Sequence, residues 1–233
     1  MDSKKQSVWK DRCVTEWNLG GKGIPLPQEW DWESTYQKKP FGRNLIKNPC
    51  PEGLSHKVPL DTTRPQAPPP RKPLESLGDF SGWKTKEEHL PVDTSGIPEG
   101  AVICHLPNYS WVVKEQIINL KEEGFWEELL DVYQPDICVT DWYEDSQLHD
   151  YVYELHVKLL GSDHAKVINE FSLKPKNERS ETQHKWCEVS HIFQKYGPGV
   201  RYIHFEHRTK DLFVVGFDRT RVTDSTVRVQ LRE

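Results

Sequence analysis

The side chains of this chain that could perform metal or acid–base chemistry include a histidine pair late in the sequence. His204 and His207 flank Glu206, and imidazole and carboxylate groups are common zinc ligands. In a β-strand, however, residues three apart face opposite sides, so one strand cannot bring both histidines to the same ion. The sequence therefore predicts structural histidines here and no metal site.

An acidic group, Glu127, Glu128 and Asp131, holds the other candidates for proton transfer. General acid–base catalysis requires such groups to converge on one substrate, and closely spaced carboxylates are more typical of a solvated face. The sequence contains no nucleophile elbow, zinc-protease motif, phosphate-binding loop or dinucleotide fingerprint. We therefore predict that the protein is not an enzyme and needs no cofactor.

A rigid turn followed by an alternating strand is the most distinctive local pattern. Gly197 and Gly199 surround Pro198. Proline fixes φ, and glycine accepts backbone angles that other residues reach only with strain. In the segment that follows, Ile203 and Phe205 share one face and polar residues occupy the other. This pattern predicts a half-buried strand.

Similar runs recur through the second half of the chain, with turn residues between them and no long helical pattern. Only Leu120 to Leu130 is typical of a short helical turn. Many short strands of this kind predict an all-β protein, an antiparallel β-sandwich. The predicted strands are Ala101–Leu106, Val112–Leu120, Asp136–Trp142, Tyr151–Leu160, Ala165–Leu173, Lys185–Phe193, Val200–His207, Leu212–Val215 and Thr226–Leu231.

Composition argues against several classes of function. The net charge is -5, with 31 basic residues scattered among 36 acidic ones, so we expect no nucleic-acid partner. The absence of an apolar leader and of any run of about 18 apolar residues predicts a cytoplasmic protein without a membrane span. Five cysteines without a CxxC spacing are typical of reduced thiols.

Five separate blocks of sequence, in order, resemble the F-box-associated domain. Several blocks in the right order make the resemblance specific, whereas any one of them would be weak. The resemblance runs from about Arg43 to the C-terminus and implies a β-sandwich of the jelly-roll, galactose-binding-like type. The blocks are Asn44–Cys50, Gly124–Asp131, Asp141–Tyr143, Tyr196–His207 and Arg221–Ser225.

The resemblance also divides the chain into residues 1–42 and 43–233, the second part being the F-box-associated domain with a proline-rich insertion at about 57–98. We expect the first part to be an irregular tail related to the end of an F-box and its linker. It contains Trp9, Trp17, Trp30 and Trp32 but few aliphatic residues, so its rings should dock on the domain. It lacks the closely spaced leucines of an Skp1-binding F-box, which argues against binding of Skp1 and cullin.

Family members similar to this chain bind the inner N-acetylglucosamine core of N-glycans on misfolded glycoproteins and present them to an SCF ubiquitin ligase. Their sugar-binding loop carries a Tyr-Trp-Lys triplet, and alignment places Phe213, Val214 and Val215 there. The indole that stacks on a sugar ring and the lysine donor are therefore missing. The resemblance implies a recognition module for N-glycosylated proteins in ubiquitin-dependent degradation (ERAD), with a degenerate sugar loop. Phe213 would cover one sugar face, or all three residues form an ordinary strand.

Two alternatives for partner binding stay open. A family member that lacks a complete F-box suggests a receptor-like or protein-interaction role in cytotoxic cells, without glycan or Skp1 binding. In addition, the segment from Pro59 to Pro73 contains six prolines. Its PxxP patterns between Pro65 and Pro73 are typical of SH3 or WW ligands, and also of a solvated, extended loop inserted in the domain.

Overall fold

The computed structural model of the protein describes residues 3–59, 78–89, 95–96, 98–99, 110–145, 151–176, 185–213 and 217–233. Two helices, α1 (Ser3–Glu16) and α2 (Trp32–Lys38), precede the strands, and a turn of π-helix (Leu129–Tyr133) lies between the second and third strands. The strands are β1 (Lys84–His89), β2 (Ser110–Asn119), β3 (Asp136–Glu144), β4 (Tyr153–Leu160), β5 (Val167–Leu173), β6 (Trp186–Phe193), β7 (Tyr202–Phe213), β8 (Phe217–Arg219) and β9 (Val222–Gln230).

The strands form two antiparallel sheets. The first sheet has the order β1-β2-β7-β4-β5, with β8 paired to β7, and the second has the order β6-β3-β9. Buried residues alternate with partly exposed ones along β3 and β4, and the buried faces of the two sheets share one hydrophobic core. The prediction of an all-β antiparallel sandwich is confirmed.

A short segment before the first strand completes the second sheet. The N–H of Gly42 donates to the carbonyl of Val229 at 2.9 Å, and that of Leu45 donates to Val227 at 2.8 Å, so residues 42–45 lie along β9. With this segment included, the second sheet has the order segment-β9-β3-β6. Without the additional strands β1 and β8, the first sheet has the order β2-β7-β4-β5. This is the order of an eight-stranded jelly roll. The segment also covers the edge of β9 that would otherwise be open to pairing.

The observed strands differ from the predicted ones mainly at four places, one of which is β8 (Phe217–Arg219), a short strand that was not predicted. β1 was not predicted, because its sequence is charged and lacks apolar alternation; its pairing with β2 and the ion pair of Lys84 with Glu115 hold it. β7 is one unbroken strand where two runs were predicted, and β9 begins four residues earlier, at Val222 instead of Thr226. The predicted strand 101–106 and the proline-rich segment 65–73 lie outside the described residues.

The region expected to be an irregular tail forms two helices instead. α1 has no basic residue in its last turn, no acidic residue in its first turn and little apolar character, so its sequence alone gives a weak helical signal. α2 begins after Asp31, whose side chain accepts a hydrogen bond from the N–H of Ser34 at 3.0 Å. Short helices gain most of their stability from tertiary packing, which the sequence pattern did not show. Among the helices that the structure describes, none combines the length and the apolar composition that a membrane span requires.

An aromatic cluster joins this N-terminal region to the sandwich. Trp126 is fully buried, and its ring centroid lies 5.2 Å from that of Trp32, 6.4 Å from Trp30 and 6.3 Å from Phe41. Its indole N–H donates to the carbonyl of Pro25 at 2.7 Å. The predicted docking on the domain is confirmed for Trp30 and Trp32, whereas Trp9 and Trp17 pack on Tyr36 and Phe41 within the N-terminal region. The target of Trp30 and Trp32 is the loop that precedes the π-helical turn.

Candidate functional site

The residues predicted to form the degenerate sugar loop lie at the end of β7 and just beyond it. Phe213 is the last residue of β7, and its backbone pairs with Phe217 at the start of β8. Val214 and Val215 lie outside the described residues. Phe213 therefore belongs to a β-hairpin, formed by β7 and β8, that we call the hairpin end of the sandwich.

Aromatic rings and lysines lie beside the hairpin end. Trp111 pairs with Lys210 across β2 and β7, and the ammonium of Lys210 lies 5.7 Å from the Trp111 ring centroid. Lys174 contacts the rings of both Trp111 and Tyr151, at 5.4 and 5.6 Å. Tyr151 is 40% exposed, whereas Trp111 is 8% exposed. A partly exposed ring with cations at its faces can contact both apolar and polar groups of a ligand.

An ion pair fixes the strand ends on this side of the molecule. The guanidinium of Arg221, just before β9, binds the carboxylate of Glu144 through two hydrogen bonds of 2.7 and 3.0 Å. The backbone N–H of Glu144 also donates to the carbonyl of Arg221 at 2.9 Å. A two-pronged arginine–carboxylate contact fixes orientation as well as distance. The end of β3 and the start of β9 therefore form a rigid base beside the hairpin end.

A buried carboxylate connects the two sheets below this base. Asp141 of β3 is fully buried and accepts hydrogen bonds from Tyr153 Oη at 2.6 Å, Ser225 Oγ at 2.7 Å and His207 Nδ1 at 2.8 Å. Tyr153 and His207 belong to the first sheet, whereas Asp141 and Ser225 belong to the second. These four side chains, which we call the Asp141 network, hold the sheets in one alignment.

Burial sets the protonation of this network. Desolvation lowers the pKa of His207, although the carboxylate of Asp141 opposes that shift. Burial also disfavours the charged form of Tyr153 and therefore raises its pKa, and its hydrogen bond to Asp141 adds to this shift. His207 is therefore neutral with its proton on Nδ1, where it donates to Asp141. The network contains no solvent-exposed nucleophile, because all four side chains are buried.

The two histidines considered for metal binding lie on opposite faces of β7, as the sequence predicted. His207 faces the core, whereas His204 faces outward, and its Nε2 lies 2.9 Å from a carboxylate oxygen of Glu115. Glu206 lies on the same face, and the three side chains offer ligand atoms within 4.8 Å of one another. Arg208 already neutralises Glu206 through a hydrogen bond of 2.7 Å. The sequence analysis considered His204 together with His207, which are three residues apart. It did not consider His204 together with Glu206, which are two residues apart and therefore share a face.

Asp131 anchors the glycine–proline turn. Its carboxylate accepts the N–H of Gly199 at 2.7 Å and two hydrogen bonds from Arg201, both of 2.8 Å. The arginine holds the pKa of Asp131 below its ordinary value. Gly197 and Gly199 have φ of +92° and +99°, a region that strains other residues. The prediction of a solvated face is therefore wrong for Asp131.

The comparison with known proteins decides the family. A model of the F-box associated region matches residues 36–229. The chain belongs to this family. It is 52% identical to F-box only protein 50 of Danio rerio over 226 residues, which are 95% of each chain. It is 43% identical to F-box only protein 50 of Homo sapiens, covering 94% of this chain and 74% of that one. It is 35% identical to F-box only protein 2 of Bos taurus, covering 96% and 70%.

The sequence blocks of this F-box-associated domain mainly build its interior. One block supplies Asp141, another supplies Arg221 and Ser225, and a third supplies Trp126 and Asp131. Each of these side chains contacts another part of the scaffold. The blocks therefore account for the fold, and a fold does not by itself specify a ligand.

Replacing Asp141 with asparagine tests the buried network. An amide offers one acceptor oxygen and adds donors where three donors already converge, so we expect Asp141→Asn to lower the free energy of unfolding by about 3–5 kcal/mol. Asp136→Asn, on the same strand but in a partly exposed ion pair with Arg232, should cost less than about 1 kcal/mol. Urea unfolding followed by tryptophan fluorescence measures both. Equal losses would contradict the role of the network.

The depressed pKa of His207 predicts a loss of stability in mild acid. Below about pH 6.5, the unfolded chain binds a proton at this histidine that the folded chain does not, so stability falls as the pH falls. The free-energy difference between the protein and His207→Gln should shrink between about pH 6.5 and 5, by up to about 1.4 kcal/mol per pH unit. Urea unfolding across this range measures it, with His156→Gln as a control for a partly exposed histidine. A pH-independent difference would contradict the prediction.

Proposed function

We propose that this F-box-associated domain is a non-enzymatic recognition module for client proteins whose hairpin end has lost the sugar platform of the glycan-binding family members. The observation that carries the proposal is the triplet Phe213, Val214 and Val215 in a chain that otherwise retains the family blocks. If each lost ring or lysine contact is worth roughly 1–2 kcal/mol, sugar binding weakens by about one to three decades.

The rigid scaffold supports a role in binding. Loops and hairpins held by a fixed core are the usual location of recognition residues. At the hairpin end, the ion pair of Arg221 with Glu144 lies beside the exposed ring of Tyr151 and the lysines that contact the buried Trp111. In this proposal, that surface contacts the polypeptide of a client instead of stacking on a pyranose.

The pathway in the proposal is ubiquitin-dependent degradation of glycoproteins, to which the resemblance to SCF substrate-recognition subunits points. The large side chains of the N-terminal region pack inside the protein. Trp30 and Trp32 pack on Trp126 of the domain, and Trp17 packs on Phe41. Rings that pack internally are not available to a second protein. We therefore propose client binding by this chain without direct attachment to Skp1.

Titration with chitobiose and with a high-mannose glycopeptide tests the sugar part of the proposal. We expect no binding of either ligand by the native chain in the micromolar range, since the indole and lysine are absent. A triple graft, Phe213→Tyr, Val214→Trp and Val215→Lys, should bind at least about tenfold more tightly, because it restores a stacking ring and a donor. Isothermal calorimetry measures both. Micromolar binding by the native chain would overturn the loss of the sugar platform.

Co-purification with Skp1 and cullin tests the second part. Residues 1–42 contain leucine only at Leu19 and Leu26, and Leu19 is fully buried, so we expect no retention of either protein. F-box only protein 2 of Bos taurus, expressed with the same tag, is the matched control. Retention of Skp1 by this chain at the level of that control would contradict the proposal. The chain would then be a subunit of the ligase itself.

A further inference from the structure

A groove crosses the outer face of the second sheet, away from the sandwich core. Its volume is about 400 Å³. The floor is formed by outward-facing residues of β3 and β9, which alternate with the buried residues of those strands. The segment between residues 44 and 57 supplies the wall. The lining includes His56, Lys57, Thr140, Trp142, Asp224 and Arg228.

The wall of the groove is held in place by specific contacts. The ring of His56 stacks on that of Trp142, with centroids 3.9 Å apart and an angle of 4° between the planes. The backbone N–H of His56 donates to Asp224 at 2.9 Å, and its Nδ1 contacts the same carboxylate oxygen. Asn44 accepts the N–H of Val227 at 3.0 Å. The groove is therefore preformed and pays little ordering entropy when a ligand binds.

Asp224, the one carboxylate among the described lining residues, already accepts several hydrogen bonds. Asp224 Oδ1 accepts the thiol of Cys50 at 2.9 Å, and Oδ2 accepts the hydroxyl of Ser55 at 3.1 Å in addition to its bonds with His56. Burial alone would raise the pKa of Asp224, but these hydrogen bonds outweigh it and hold the pKa below its ordinary value. The oxygens of Asp224 are therefore occupied, while its single negative charge stays in the groove against the two positive charges of Lys57 and Arg228.

The two cations in the lining lack acidic partners. Arg228 and Lys57 are exposed, and among the residues that the structure describes neither is within ion-pairing distance of a carboxylate. Most of the described arginines are paired: Arg43 with Glu123, Arg201 with Asp131, Arg208 with Glu206, Arg221 with Glu144 and Arg232 with Asp136. In a chain with a net charge of -5, a groove with two unpaired cations favours an anionic ligand.

We propose that this groove binds a phosphoryl group carried by a polypeptide, that is, a phosphoserine or phosphothreonine of a partner protein. A phosphate monoester has a charge of about −1.5 to −2 and three acceptor oxygens. The guanidinium of Arg228 can bind two oxygens at once, and Lys57 and the hydroxyl of Thr140 supply further donors. These donors outnumber the two oxygens of a carboxylate ligand and are better matched to the three oxygens of a phosphoryl group. The space beside the Trp142–His56 pair accommodates the residues that flank the phosphate.

This inference goes beyond the proposed function, because the groove lies on the outer face of β3 and β9 and the hairpin end lies at the tip of β7. A phosphopeptide can bind in the groove whether or not the hairpin end binds a glycan. Failure of the phosphopeptide test therefore leaves the chitobiose and Skp1 results unchanged.

Two degenerate peptide pools, labelled with fluorescein, test the proposal by fluorescence polarisation with the full chain. One pool has a fixed central phosphoserine, and the other has serine at the same position. We expect the phosphoserine pool to bind at least about tenfold more tightly, since each charged hydrogen bond gained is worth about a decade in affinity. Arg228→Gln and Lys57→Gln should each reduce that affinity by about fivefold to tenfold. Arg12→Gln, which changes an exposed arginine of α1, should leave it unchanged.

Backbone amide chemical shifts, measured with the phosphoserine pool and with inorganic phosphate alone, locate the site. We expect shifts at Thr140, Thr226 and Arg228 with both probes, and saturation at much lower concentration with the peptide pool. Equal binding of the two pools, equal losses in Arg12→Gln and Arg228→Gln, or saturation by inorganic phosphate as readily as by the peptide would overturn the proposal. Because Arg228 and Lys57 are exposed, unchanged thermal unfolding of both variants verifies that they remain folded.

Discussion

The structure depends on one buried carboxylate. Asp141 accepts three hydrogen bonds inside the sandwich, from side chains on three other strands, and an unpaired charge at this depth would cost several kcal/mol. A slip of one residue in β3 would turn Asp141 to the outer face and leave its donors without a partner. The network therefore stabilises one register of the sandwich and disfavours all neighbouring registers.

An irregularity in the second sheet makes this arrangement possible. The pairing of β3 with β9 shifts between Thr140 and Trp142, and Asp224 opposite the shift has φ of +52°. Such a bulge adds a residue on one strand and redirects the neighbouring side chains. Here Ser225 points inward to Asp141, whereas Asp224 holds the segment around His56 on the outside. The core network and the wall of the groove thus depend on the same local distortion.

Most of the polar groups in the family blocks are used inside the molecule. Asp131 fixes the glycine–proline turn, the pair of Arg221 with Glu144 fixes the strand ends, and Trp126 receives the rings of the N-terminal region. Because the aromatic cluster is continuous with the sandwich core, α1, α2 and the sheets stabilise one another. Binding is left to the groups that the scaffold does not use. In the two proposals these are Tyr151 and the lysines at the hairpin end, and Arg228 and Lys57 in the groove, which have no carboxylate partner among the described residues.

The sequence by itself determined the all-β class, most strands and the inward faces of β4 and β7, because alternation with period two depends only on which side chains avoid water. It also identified the family, and it predicted that Phe213, Val214 and Val215 stand where the sugar-binding members carry their triplet. One signal of the Asp141 network is present in the sequence: Asp141, Tyr153 and His207 are polar residues within strand-like runs, at positions that the structure shows to be buried. Only the tertiary structure decided which of them meet. Hydrogen bonds between sheets, the helices of the N-terminal region and the groove beside Arg228 join residues far apart in the chain, and local patterns do not encode such pairings.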